Sequence, residues 1–171
     1  MLIQNYINED AAKKLVAWID PIYTQKIEVL FIPCTKYRNR KTVFDIPIEI
    51  YDIKNKIVSQ FELEKFEETC DIFFNRLHNG QTVHKHVHIQ HELGDDLRFN
   101  IMLQKSQVGG KPTCDSVSYD VNNGDLWIFN GNKNHETDLV EGETNRYIIS
   151  YGFIVPINIV NGILKFKKTY L

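Results

Sequence analysis

Hydrophobic residues follow two rhythms along this chain, and the change falls near Gly80. In the first part, Asn8 or Asp10 can cap a short helix running to about Ile19. Leu15, Val16 and Trp18 would form its buried side, and Pro21 follows its end. IEVLFI (27–32) is β-rich, and KYRNRK (36–41) reads as a basic turn. VFDIPIEIYDI (43–53) reads as extended, with Pro47 assigning it to a sheet edge. FELEKFEETCDIFFNRL (61–77) carries apolar residues at 63, 66, 70, 73, 74 and 77 with charges opposite. That spacing predicts a helix, which Asn79-Gly80 ends.

Beyond Gly80 the pattern predicts strands at short intervals, over 82–90, 97–104, 116–121, 125–130 and 146–155. INIVNGILKFK (157–167) sets Asn161-Gly162 between two apolar runs, which predicts a hairpin. Two helices followed by a run of strands predict a mainly β fold with flanking helices. Its core would be a barrel or sandwich with the helices packed on one outer sheet. The chain divides into a buttress (1–79), a β core (80–155) and a C-terminal hairpin (156–171), all within one domain (1–171).

Composition narrows the function. A chain of 171 residues can bury a core without staples. The formal net charge is -2 and Lys and Arg are scattered, unlike the surface of a duplex-DNA binder, so no nucleic-acid partner is expected. No apolar run approaches the ~18 residues of a membrane span. The opening MLIQNYINEDAAKK lacks a basic stretch followed by an apolar one, so no secretory signal is expected. Cys34, Cys70 and Cys114 are odd in number and widely spaced, which predicts reduced thiols and a cytoplasmic setting.

The densest chemistry lies in TVHKHVHIQHE (82–92), which holds four of the chain's six histidines. In a strand, Val83, Val87 and Ile89 would face the core while His84, His86 and His88 share the other face. Imidazole is the commonest protein ligand for transition metals, and histidines at i and i+2 can reach one ion. Downstream, Gly124-Asp125 opens the strand LWIF, a lone His135 follows, and Arg146 begins RYIISYGF. Alternation puts Arg146, Ile148, Ser150 and Gly152 on one face. An arginine in so apolar a strand needs an anion, either a ligand carboxylate or a neighbour such as Asp125 or Glu143.

The order of a histidine pair, LRFNIMLQ, Gly109-Gly110, GDLWIF, His135 and Arg146 with RYIISYGF resembles the iron(II)- and 2-oxoglutarate-dependent oxygenases. The nearest likeness is to their prolyl-hydroxylase and aspartyl/asparaginyl-hydroxylase branch, over roughly residues 80 to 155. The resemblance implies a double-stranded β-helix (a jelly-roll, cupin-like barrel) and a dioxygenase that hydroxylates a protein side chain or small molecule. It implies Fe(2+) as metal and 2-oxoglutarate as cosubstrate, oxidised to succinate. His86, His88 and His135 would hold the metal. Arg146 would grip the far carboxylate of 2-oxoglutarate, with Asn100 and Ser150 beside the cosubstrate. The family's usual His-x-Asp or His-x-Glu is absent: His88 stands where the acid would be, and an aspartyl-hydroxylase-like spacing would use His88 alone.

A second resemblance competes. Gly80, His86-x-His88 and Glu92, then Gly124 to His135, match the spacing of cupin motifs. That alternative implies a metal-binding cupin with ligands His86, His88, Glu92 and His135, acting as a dioxygenase, isomerase or non-enzymatic binding module. The substrate and the oligomeric state are not legible in the sequence. Loops 34–42 and 105–115 could border the barrel mouth, where Tyr37, Arg38 and Arg40 would favour an acidic or peptide-like substrate, although a solvated loop explains them more simply.

Overall fold

The computed structural model describes residues 1–23, 29–34 and 45–165. The basic turn at 36–41, including Tyr37, Arg38 and Arg40, and the end of the expected C-terminal hairpin lie outside them. In chain order the described elements begin with β1 (Leu2–Ile3), α1 (Glu9–Ile19), β2 (Val29–Ile32), α2 (Ile48–Gln60) and β3 (Asp71–Leu77). There follow β4 (Asp95–Gln104), β5 (Val108–Gly109), β6 (Pro112–Cys114), β7 (Val117–Ser118) and β8 (Leu126–Asn130). The chain continues through β9 (His135–Thr137), β10 (Val140–Glu141), β11 (Arg146–Val155) and α3 (Ile157–Lys165).

The centre is a six-stranded antiparallel sheet in the order β1-β8-β4-β11-β3-β2. Its two long inner strands are buried along almost their whole length, so both faces must be covered. On one face, Leu97, Phe99, Ile101 and Leu103 of β4 join Tyr147, Ile149, Tyr151, Phe153 and Val155 of β11. These pack with Ile72 and Phe74 of β3 and with the buried stripe of α1, Ala12, Leu15 and Ile19. Ile50, Ile53, Ile57 and Val58 of α2 and Val160 of α3 complete this core. The other face of the sheet carries Arg98, Asn100 and Met102 of β4 and Arg146, Ile148 and Ser150 of β11, and it lines a cavity. Smaller strands close that cavity: β7-β6-β9, the pair β10-β5, and the extended histidine segment bridged to β9 at His86↔His135. The helices on one outer face of a layered β core are what the pattern predicted, and the jelly-roll form is what the resemblance implied.

Helix α1 begins as expected at Asn8, whose Oδ1 accepts from the Ala11 amide at 2.7 Å. Three expectations fail, each for a physical reason. The segment 48–60 is helical, not extended: Ile50, Ile53, Ile57 and Val58 recur at i, i+3, i+7 and i+8, and Pro47 precedes the first turn. The predicted helix over 61–77 is a short 3₁₀ stretch (64–69) followed by β3. DIFFNRL is buried between two strands and packed on both faces, so its apolar run shows no period-two alternation. The predicted C-terminal hairpin is α3, since Ile159, Val160, Ile163 and Leu164 form one helical stripe against the core and Gly162 sits exposed within it. Among the described residues no helix is long and apolar enough to cross a membrane.

Nothing lies within 4 Å of where a Cβ on Gly162 would sit, so Gly162→Ala should stabilise the protein by about 0.5–1 kcal/mol. Urea melts of the two proteins measure the difference, and a destabilised variant would contradict the helix.

Candidate metal centre and its pocket

The histidine segment departs from a regular strand, and the departure builds the site. Val87 and Ile89 were expected to face the core, yet they are 51 % and 93 % exposed. Of the row, His86 and His88 line the cavity, His86 exposed at its edge and His88 half-buried. They meet His135 of β9, with ring centroids 4.1 Å apart for His86–His135 and 4.7 Å for His88–His135. His86 and His135 exchange backbone hydrogen bonds, so the two strands are locked in register at the site. His84 stays exposed and contributes its carbonyl oxygen, which accepts from His86 Nδ1 at 2.8 Å.

All three rings have Nδ1 occupied. His135 Nδ1 donates to the Lys133 carbonyl at 2.9 Å, repeating the His86–His84 device of a ring folded onto the carbonyl two residues earlier. His88 Nδ1 instead meets Asp96 Oδ2 at 2.6 Å. Carbonyls and carboxylates accept, so each Nδ1 carries the proton and each Nε2 presents a free lone pair. One ligand atom from each residue lies within 4.8 Å of the others, close enough to share one ion. The three residues therefore fit a transition metal that takes imidazole nitrogen, such as iron(II). Glu92 is exposed and outside this group, so the four-ligand cupin set loses its carboxylate.

The cavity beneath has a volume of about 640 Å³. Its floor follows the sheet register. Asp71, Gly152 and Arg98 form one row across β3, β11 and β4, and Phe73, Ser150, Asn100 and Trp127 form the next. Arg146 lies further along β11 and is 1 % exposed. Its Nε and Nη1 find no partner among the described residues, and neither do Asn100 Oδ1 and Ser150 Oγ. The suggested neighbour Asp125 is engaged by the Asn5 and Asn122 amides instead. Burial pushes the Arg146 guanidinium down to about 10, with Asp138 partly opposing, so it remains a cation at neutral pH. A buried cation without a counter-ion is costly, and an anion entering the cavity would offset that cost. The three residues expected beside a cosubstrate thus sit together with unmet hydrogen-bonding capacity.

Sequence reasoning missed the charged wall behind His88. Arg98 donates through Nη1 and Nη2 to both oxygens of Asp71, at 2.9 and 3.1 Å. Through Nε it also donates to Asp96 Oδ2 at 2.8 Å. A Cβ on Gly152 would lie 2.3 Å from Asp71 Oδ1 and 2.5 Å from Arg98 Cζ, so this bridge needs a glycine beneath it. Burial raises the Asp96 pKa, but the His88 hydrogen bond and the Arg98 guanidinium outweigh it and hold the carboxyl below its ordinary value. The available signal was that Asp96 and Arg98 are two apart on β4 and so share a face.

No protein-family model and no curated protein matches the sequence. Solved structures do match. The viral collagen prolyl hydroxylase of Paramecium Bursaria Chlorella virus-1, in complex with 2-oxoglutarate, superposes with a TM-score of 0.66 at 12% identity, covering 91% of this chain and 94% of that one. A Pseudomonas putida prolyl-4-hydroxylase gives 0.60 at 13% identity, covering 91% of each chain. Iron-bound HygX from Streptomyces hygroscopicus gives 0.57 at 10% identity, covering 91% of this chain and 81% of that one. The chain shares its fold with these solved prolyl hydroxylases and with HygX. At these identities the likeness is one of fold, and at 91% of the chain it extends well beyond residues 80–155.

Burial, with the neighbouring His86, His88 and Arg98 in support, lowers the His135 pKa to about 4. Below pH 6.5 the unfolded chain would take up a proton at this residue that the folded chain refuses until about pH 4. The metal-free protein should therefore lose roughly 2 kcal/mol more stability than His135→Gln between pH 6.5 and pH 5. Urea melts at both pH values test this, and equal slopes would contradict a buried neutral imidazole.

Proposed function

We propose that this chain is an iron(II)- and 2-oxoglutarate-dependent oxygenase that hydroxylates a protein side chain or a small molecule in a cytoplasmic setting. The observation that carries the reading is Arg146: a buried guanidinium whose Nε and Nη1 have no partner among the described residues, in the cavity whose other end holds three imidazoles with free Nε2 atoms. A metal held by His86, His88 and His135 would keep positions open for cosubstrate and dioxygen, and it would supply the oxidising chemistry. Arg146 offers a two-pronged grip to the far carboxylate of 2-oxoglutarate, with Asn100 and Ser150 adding polar contacts. Trp127 and Ile148 line the same stretch of cavity and exclude water from that ion pair. The solved neighbours bound to 2-oxoglutarate and to iron support the same pairing of ligands.

The mouth supports an apolar substrate. Val29 and Phe31 on one side and Val87 and Ile89 on the other line the cavity, and all four are exposed. Of the two arginines in the lining, Arg98 is committed to carboxylates and Arg146 is buried, which disfavours a nucleic-acid substrate. Three buried free thiols are in keeping with a reducing compartment.

The test is calorimetric titration of the anaerobic, iron-loaded protein with 2-oxoglutarate, followed by measurement of succinate in air. Binding and succinate release are expected. Arg146→Ala should weaken 2-oxoglutarate binding by about 30-fold or more while leaving metal uptake intact. A wild-type protein that takes up iron but not 2-oxoglutarate would overturn the reading.

A further inference from the structure

Three imidazoles leave a bound dication with one positive charge more than two imidazoles and a carboxylate would. The wall behind His88 holds a matching excess of the opposite sign. Asp71 and Asp96 both face Arg98, so two carboxylates share one guanidinium and the group carries a formal charge of −1. Arg98 grips both oxygens of Asp71 and also meets Asp96 Oδ2 through Nη2 at 2.6 Å, so one guanidinium is divided between two carboxylates and one negative charge is left over. Asp96 is 5 % exposed, and its Oδ1 has no partner among the described residues. Its Oδ2 takes the His88 Nδ1 proton at 2.6 Å, where the other two rings use neutral carbonyls.

This contact is built from several sides. The His88 amide donates to the Gly131 carbonyl at 2.9 Å, and the Gly131 amide donates to the Asp96 carbonyl at 2.6 Å. Asn132 accepts from the Asp96 amide at 2.7 Å and donates to the His88 carbonyl at 3.1 Å. A Cβ on Gly131 would stand 2.7 Å from His88 Nδ1. The turn after β8 thus clamps His88 and Asp96 together, and the glycine makes room for the ring.

We propose that Asp96 supplies, through His88, the negative charge that a directly bound carboxylate would bring to the metal. It is a positioning residue: it fixes the ring's orientation and tautomer and makes its Nε2 a stronger donor, without touching the metal. The inference rests on the metal-binding part of the proposed function and not on 2-oxoglutarate. The oxygenase reading can therefore fail in its own assay while this one holds.

Metal-free wild type, Asp96→Asn and Asp71→Asn would be titrated anaerobically with cobalt(II) and iron(II), with circular dichroism confirming the fold. Asparagine keeps a hydrogen-bond acceptor for His88 but removes the charge. Asp96→Asn should lose about 10–100-fold in metal affinity. It should also raise the iron(III)/iron(II) midpoint potential, because the oxidised ion is left less compensated. Asp71→Asn removes the same formal charge without touching His88 and should lose markedly less affinity. Equal losses in the two variants, or an unchanged potential in Asp96→Asn, would overturn the proposal. In zinc(II)-loaded wild type the Nδ1 proton of His88 should resonate further downfield than those of His86 and His135. Three similar resonances would overturn it even if Asp96→Asn does not fold.

Discussion

The structure depends on one constraint: β4 and β11 lie side by side at the centre of the sheet and are buried on both faces. Period-two alternation then divides their residues into two populations. Phe99, Ile101, Ile149 and Tyr151 meet the helices and form the main core. Arg98, Asn100, Arg146 and Ser150 have no choice but to face the second, smaller sheet. Register makes the second population local, since Asn100 pairs with Ser150 and Arg98 with Gly152. A slip of one residue would turn the cations into the helix side and the aromatics into the cavity. The fold is held by the same pairing that assembles the site.

How much of this was legible in the sequence follows from which interactions were local. RYIISYGF and LRFNIMLQ could be assigned faces because both strands are long and alternate cleanly around one polar position per turn of the pleat. Alternation made the shared face of Arg146 and Ser150 legible, whereas the grouping of His135 and Asn100 with them was what the family resemblance implied. The first helix was legible because Asn8 is a local cap. The segments 48–60, 61–77 and 157–165 were misread because a short apolar run fits either period until its packing partners are known. Val87 and Ile89 were misassigned because the histidine segment is held by backbone bonds to β9 and to the turn after β8, with no sheet behind its other side. The Asp96–His88 contact joins two segments whose proximity only the turn at Gly131 creates, and no spacing rule announces it.

The cavity is polarised, and the two ends pose opposite electrostatic problems. At the deep end, Arg146 is a buried cation with no ion-pair partner among the described residues, Asp138 acting on it only from a distance. At the histidine end, Asp71 and Asp96 exceed the single charge of Arg98. The imbalance at Arg146 opposes folding, because a buried charge without a close partner is destabilising, whereas at the histidine end both carboxylates are paired with Arg98 and Asp71 is partly exposed. Each end is relieved by a ligand of the opposite sign: an anion at Arg146, a metal cation at the imidazoles. A metal and a dicarboxylate bound together would neutralise both ends at once, and each would make the other's site less unfavourable. Ligands that bind only the folded chain also raise its stability by mass action. Under the proposed function the doubly liganded state would be the most stable one, and the apolar face behind these polar groups provides the core that tolerates them.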